Sequence, residues 1–94
     1  MSEPIHSLHV IFCGTVQGVG FRYTAQRLAS AYPKITGVVR NLPDGNVELA
    51  AEGPKYDIEA YLLDIQDKMQ DYISGISTVW GVTDKRHAGF SIAL

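Results

Sequence analysis

The chain has 94 residues, of which 46% are hydrophobic and 19% charged, a composition typical of one soluble globular domain. Its net charge is −2, so no basic surplus points to nucleic acid or to an anionic membrane surface. The single cysteine cannot form an internal disulfide, and the N-terminus lacks the features of a secretory signal. No apolar run approaches the roughly 18 residues of a membrane helix. We therefore expect one domain over residues 1–94, located in the cytoplasm.

Periodicity in the first half of the chain predicts a strand, a helix and a β-hairpin, in that order. Apolar residues at helical spacing extend to Tyr32, and Pro33 ends the helix. The sequence of residues 42–46, Leu-Pro-Asp-Gly-Asn, is typical of a turn, because proline fixes φ and glycine accepts a left-handed conformation. The predicted elements are strand 8–13, helix 21–32, strand 35–42 and strand 46–52.

The second half predicts a longer helix and two further strands. Gly53-Pro54 breaks the chain before the helix, whose apolar stripe reaches Ile73 and whose end is expected at Ser74-Gly75. Strand 76–82 and a polar loop over 83–89 follow, and then Phe90, Ile92 and Leu94 alternate as a short last strand. The order βαββαβ with a small addition predicts an α+β, ferredoxin-like sandwich, with two helices on one face of an antiparallel sheet.

The segment Gly14–Arg22, with the sequence Gly-Thr-Val-Gln-Gly-Val-Gly-Phe-Arg, carries the strongest functional signal. A glycine-rich turn between a strand and a helix N-terminus presents unpaired N–H groups and a positive dipole end, which bind anions. Arg22 adds a forked cation suited to phosphate. The spacing excludes a P-loop, because Phe and Arg follow Gly20, and a dinucleotide fingerprint, because Tyr23 stands at its third glycine. We therefore predict phosphate binding.

Two segments resemble the signatures of the acylphosphatase family. Gly14–Arg22 resembles the first signature, Gly-x-Val-Gln-Gly-Val-x-Phe-Arg, at every defined position. The second signature, Gly-aromatic-x-x-Asn-x-x-x-Gly-x-Val-x-x-x-x-x-Gly, has its counterpart over residues 37–53. Val38 stands where the family usually has an aromatic residue, a change that keeps strand propensity and reduces local packing area. The family's fold is ferredoxin-like, which agrees with the predicted order of elements.

The resemblance implies hydrolysis of small acyl phosphates without a metal or other cofactor. Arg22 and Asn41 match the family's catalytic residues. The residues expected to bind the phosphate through the backbone loop are Val16, Gln17, Gly18, Val19, Gly20 and Phe21. The Gln17 side chain is expected to brace this loop. Without the resemblance, the favoured role of Asn41 would be to cap the neighbouring turn.

Other functions remain open at this point. One is a phosphate- or carbamoyl-phosphate-binding module that does not hydrolyse its ligand, like the acylphosphatase-like domains within larger carbamoyltransfer proteins. Another is a ferredoxin-fold domain that binds a protein partner through an inactive loop. RNA recognition, which also uses this fold, is disfavoured because strands 35–42 and 46–52 contain no aromatic residue. The predicted enzyme acts on a small molecule as a monomer, since no exposed apolar stripe is evident.

The remaining polar and aromatic residues are expected to be structural. Strand alternation places Arg40 on the face opposite Asn41, and Glu52 reads as a solvated strand end. The three histidines show no metal-site grouping. The aromatic residues expected to pack in or against the core are Tyr61, Tyr72 and Trp80.

Overall fold

The protein is described here by a computed structural model that covers residues 5–93. Its elements are β1 (Ile5–Gly14), α1 (Phe21–Ala29), β2 (Thr36–Asn41), β3 (Val47–Gly53), α2 (Lys55–Lys68), β4 (Ile73–Thr83) and β5 (Phe90–Ile92). The strands form one sheet in the order β4-β1-β3-β2-β5. This arrangement confirms the predicted α+β, ferredoxin-like fold. Between residues 5 and 93, no helix is long and apolar enough to cross a membrane.

The sheet is antiparallel over its first four strands, whereas β5 pairs in parallel with β2. The complete sheet is therefore mixed, and β5 lies at the edge opposite β4. Parallel neighbours need a crossover connection, and here the chain returns from β4 across the end of the sheet to reach β2.

The core lies between one face of the sheet and the two helices. Strand alternation directs Leu8, Val10 and Phe12 of β1 to this face, where all three are buried. A hydrogen bond connects the two helices: the Tyr61 hydroxyl of α2 donates to the Ala25 carbonyl of α1 at 2.7 Å. Burial raises the pKa of Tyr61, so the hydroxyl remains a donor. This contact fixes the middle of α1 against α2.

Both predicted helices extend too far. Helix α1 ends at Ala29, because the next three N–H groups donate to carbonyls three residues back and tighten the chain into a turn. Helix α2 ends at Lys68, and Ile73 belongs to β4. Gly75 pairs with Cys13 of β1, so sheet pairing takes precedence over the helical stripe that the sequence shows.

The predicted positions of the strands are confirmed. The strands predicted for β1 and β4 are shorter than those in the structure. Strand β1 begins at Ile5, and β4 covers Ile73–Thr83 because the two strands pair along their whole length. The last strand forms at Phe90–Ile92. The predicted contribution of Leu94 lies outside the described residues.

The prediction that Glu52 is solvated is wrong. Glu52 is 5% exposed, because three donors from β2 and from the loop after β4 surround its carboxylate. Arg40, in contrast, lies exposed on the face opposite Asn41, as predicted, where its Nε lies 3.0 Å from a carboxylate oxygen of Glu48. Among the aromatic residues expected to pack, Tyr61 is fully buried, whereas Tyr72 and Trp80 retain 40% and 38% exposure.

Candidate active site

The register of the sheet brings the two signature segments together. Phe12 near the end of β1 pairs with Val47 of β3, and Val47 also pairs with Asn41 at the end of β2. The loop over residues 15–20 therefore leaves the sheet with only β3 between it and Asn41. Helix α1 begins directly after this loop, so its N-terminus faces the same end of the sheet.

A cavity of about 170 Å³ lies where these elements meet. Its lining residues are Val16, Gly18, Gly20, Phe21, Arg22, Tyr23, Asn41 and Ile92. A water molecule occupies about 30 Å³ of the liquid, so the cavity has room for a small anion and its hydration. A larger cavity of about 410 Å³ near Ile5 and Gly53 contains neither Arg22 nor Asn41, so the smaller cavity is the candidate site.

The loop leaves its backbone donors free. Gly18 and Gly20 both have φ of 77°, a left-handed conformation that glycine adopts without steric cost. Gly20 caps α1, and no side chain accepts from the first turn of the helix. Within residues 5–93, the N–H groups from Val16 to Phe21 donate to no protein acceptor. These donors and the helix dipole create positive potential at the cavity.

Arg22 is the second residue of α1 and lines the cavity. Its Nη1 donates a long hydrogen bond of 3.4 Å to the Ala93 carbonyl, just beyond β5. In the described part of the chain, no carboxylate lies within ion-pair distance of its guanidinium. The first turn of α1 also contains no acidic residue. Among residues 5–93, the positive charge of Arg22 therefore adds to that of the loop without an acidic partner.

The Asn41 side chain lines the cavity and takes no part in the turn that follows β2. That turn is held by the Leu42 N–H, which donates 2.9 Å to the Asn46 carbonyl, and by the Asp44 carboxylate, which accepts from the Asn46 N–H at 3.0 Å. Over residues 5–93, the Asn41 amide forms no hydrogen bond with this turn. The amide thus remains available to a molecule in the cavity.

Gln17 braces the loop through its side chain, as predicted. Its Nε2 donates to the Leu42 carbonyl at 2.7 Å and to the Asn46 carbonyl at 2.9 Å. Both acceptors flank the turn between β2 and β3. A single amide therefore fixes the distance between the loop and the strand that ends at Asn41. Neither Gln17 nor Val19 lines the cavity itself.

Tyr23 and Ile92 also line the cavity, and the sequence does not predict them as site residues. Ile92 arrives there because β5 pairs in parallel with β2 and places Ile92 opposite Val39. The only signal in the sequence is the apolar alternation of the last residues. This alternation predicts a strand, but it does not predict which strand lies beside it in the sheet. Among residues 5–93, no group of three or more histidine, cysteine or acidic side chains is arranged to hold a metal ion.

The fold and this site define a ferredoxin-like domain with a glycine-rich loop at a helix N-terminus. A family model described as Acylphosphatase matches residues 8–92. An acylphosphatase of Methanospirillum hungatei is 45% identical over 83 residues, covering 88% of each chain. The crystal structure of acylphosphatase from Bacillus subtilis has a TM-score of 0.84 and 32% identity, covering 95% of this chain and 99% of that one. The chain belongs to the acylphosphatase family.

A solved structure of HypF from T. kodakarensis is also similar, with a TM-score of 0.79 and 30% identity. The match covers 94% of this chain and 12% of that one. The same fold therefore also occurs as a small part of a much longer protein.

The brace at Gln17 leads to a prediction about stability. Gln17→Ala removes two hydrogen bonds to carbonyls of the neighbouring turn, and we expect the free energy of unfolding to fall by about 1–2 kcal/mol. Chemical denaturation measures this change. The matched control is Gln66→Ala, because Gln66 of α2 forms no side-chain hydrogen bond within the described residues. Equal stability of the two variants would contradict the role of Gln17 as a brace.

Proposed function

We propose that the protein is an acylphosphatase, which hydrolyses the carboxyl–phosphate bond of small acyl phosphates to a carboxylate and inorganic phosphate. The observation that carries this proposal is that Arg22, the Asn41 amide and loop N–H groups without a protein acceptor among residues 5–93 meet at one cavity of phosphate size.

The loop and Arg22 bind the phosphate group. The N–H groups of residues 16–21 and the N-terminus of α1 provide donors that are already in place before substrate binds. The forked guanidinium of Arg22 suits two phosphate oxygens at once. Phosphoryl transfer depends mainly on positioning and on stabilising charge at the equatorial oxygens. The site supplies both without a metal, because backbone and arginine already provide the positive potential.

Asn41 orients the attacking water. A neutral amide is not a general base, but its oxygen accepts from water and its nitrogen donates. The water oxygen forms a bond to phosphorus as the bond from phosphorus to the carboxyl oxygen breaks. A phosphate oxygen of the substrate takes the proton of the water. The departing carboxylate is a weak base, so it leaves without a general acid.

The size of the site supports a broad class of substrates. A cavity of about 170 Å³ is smaller than the roughly 300–1,000 Å³ of typical ligand pockets, so it encloses the phosphate and leaves the acyl group outside. The loop, Arg22 and Asn41 meet within one copy of the chain, so the proposed reaction needs no second copy, and we propose a monomeric enzyme formed by the single domain 1–94.

A second candidate is a module that binds phosphate or carbamoyl phosphate without hydrolysis. The observation in its favour is the similarity to 12% of the HypF chain, where the fold is part of a longer protein. Both functions use the loop and Arg22, whereas only hydrolysis needs Asn41 and a bound water. Turnover therefore distinguishes the two.

The most direct test of the enzyme is hydrolysis of benzoyl phosphate in the presence of EDTA. We expect turnover to persist in the chelator and inorganic phosphate to inhibit competitively, because the anion site consists of backbone N–H groups and one arginine. A phosphate monoester serves as the control and should be hydrolysed far more slowly, since its leaving group is a stronger base. Activity that disappears in EDTA and returns with a divalent ion would contradict the mechanism.

Arg22→Gln should abolish most of the activity. We expect kcat/KM to fall by roughly 10³-fold, the scale seen for arginines that contact a transferring phosphoryl group. Phosphate inhibition should weaken as well, because the charge contacts the ground state too, and Arg22→Lys should restore little. Arg27→Gln, in the last turn of the same helix, is the matched control. A folded Arg22→Gln variant with more than a tenth of the wild-type kcat/KM would exclude this role.

Asn41→Ala should separate turnover from binding. We expect kcat to fall by about 10²–10³-fold, the cost of losing one aligned polar group at a reaction centre, with little change in the inhibition constant for phosphate. Asn46→Ala provides the contrast, because Asn46 bonds to Asp44 within the turn; it should lower the melting temperature and leave kcat near normal. The reverse pattern, a destabilised Asn41→Ala with normal kcat, would make Asn41 a turn residue.

A further inference from the structure

Glu52 is buried although no step of the proposed reaction uses it. It is the one charged residue among residues 5–93 that is classed as buried, with 5% exposure. Its Oε1 accepts from the Thr36 hydroxyl at 2.9 Å, from the His87 backbone N–H at 2.5 Å and from His87 Nδ1 at 2.7 Å. A buried carboxylate with several donors is costly to disrupt, since the loss of its partners leaves a charge unsatisfied.

The contacts of Glu52 fasten the loop over residues 84–89 to the middle of the sheet. This loop must pass from β4 at one edge to β5 at the other, with three strands between them. Four strand spacings of about 4.8 Å amount to about 19 Å. The seven residue steps from Thr83 to Phe90 reach about 25 Å at full extension. The crossing therefore takes up about three quarters of the full reach of the loop, and Glu52 on the central strand β3 holds it halfway at His87.

The same loop sets the position of β5. Directly after His87, the Gly37 N–H donates 2.9 Å to the Gly89 carbonyl, and the Ala93 N–H donates 2.9 Å to the Val39 carbonyl. Strand β5 has only three residues and pairs with β2 alone. So short an edge strand contributes few ladder bonds of its own, and its place depends on how the loop before it is anchored.

Strand β5 in turn contacts Arg22. The Ala93 carbonyl accepts from Arg22 Nη1 at 3.4 Å, and Ile92 forms part of the cavity wall beside Arg22. The Phe90 carbonyl also accepts from Gln26 of α1 at 3.5 Å. A continuous path of contacts thus leads from the Glu52 carboxylate through His87 and β5 to the guanidinium.

We propose that Glu52 is a positioning residue for Arg22: by clamping the loop 84–89 through His87, it holds β5 where Ile92 and the Ala93 carbonyl orient the guanidinium toward phosphate. This inference deepens the proposed function and rests on the role that the latter gives to Arg22. Glu52 occupies no defined position of either signature motif. It lies near the end of β3 that is far from the cavity.

The test measures the phosphate dissociation constant by NMR titration of the full chain, for Glu52→Ala in the wild-type and in the Arg22→Gln backgrounds. We expect Glu52→Ala to weaken phosphate binding about tenfold in the wild-type background, within the roughly 5- to 150-fold range of couplings between distant sites, and by less than about twofold with Arg22→Gln, because coupled residues are not additive. Glu52→Gln should retain part of the affinity, since its amide oxygen still accepts from Thr36 and His87.

The matched control is Glu48→Ala. Glu48 lies on the same face of β3 and also bonds a histidine, His9, at 2.8 Å, but it has no link to β5. Its removal should leave phosphate binding within about twofold of wild type, as expected for an exposed pair. If Glu52→Ala does not fold, His87→Ala takes its place in the titration. This variant removes the Nδ1 donor to Glu52 and keeps the backbone N–H.

Two outcomes would overturn the inference alone: wild-type phosphate affinity in a Glu52→Ala variant that melts at a lower temperature, or the same loss of affinity in both backgrounds. If Arg22→Gln by itself leaves phosphate affinity unchanged, the phosphate site of the proposed function is wrong as well. The single Arg22→Gln variant therefore distinguishes failure of the proposed function from failure of the role of Glu52.

Discussion

The positive potential at the start of α1 is the feature on which the rest of the site depends. Six consecutive N–H groups, a helix dipole and Arg22 lie together, and within residues 5–93 no carboxylate pairs with them. Such a concentration of unmet donors costs stability in the empty protein unless water or an anion meets them. The fold therefore has to hold the loop and Arg22 in place, and it does so through contacts with elements distant in the chain.

Those contacts come from three directions. Tyr61 fixes α1 against α2 through a buried hydrogen bond, Gln17 ties the loop to the turn after β2, and β5 closes the cavity beside Arg22. Each is a polar or aromatic contact between elements far apart in the chain. Because the groups at the cavity are fixed before substrate binds, little reorganisation is needed at the moment of reaction, which is the basis of electrostatic preorganisation.

The sequence was sufficient for the fold class, for the family and for most of the residues that line the cavity, because local patterns carry this information. Periodicity identifies β1 and α1, and the glycines at 18 and 20 take the left-handed conformation that the loop requires. The C-terminal end of α2 and the burial of Glu52 could not be predicted in this way. Both are decided by partners distant in sequence, namely β1 for the chain around Gly75 and His87 for Glu52. The spacing of apolar residues does not indicate such pairs.

The measurement that tests the account most directly is an ¹H–¹⁵N NMR titration of the protein with inorganic phosphate. The account predicts saturable shifts in the backbone amide signals of residues 16–21, with the Arg22 guanidinium signals moving over the same range of phosphate concentration. Shifts confined to other residues, such as the lysines and Arg86 around the larger cavity at the opposite end of the sheet, would contradict it, because the loop would then not be the phosphate site.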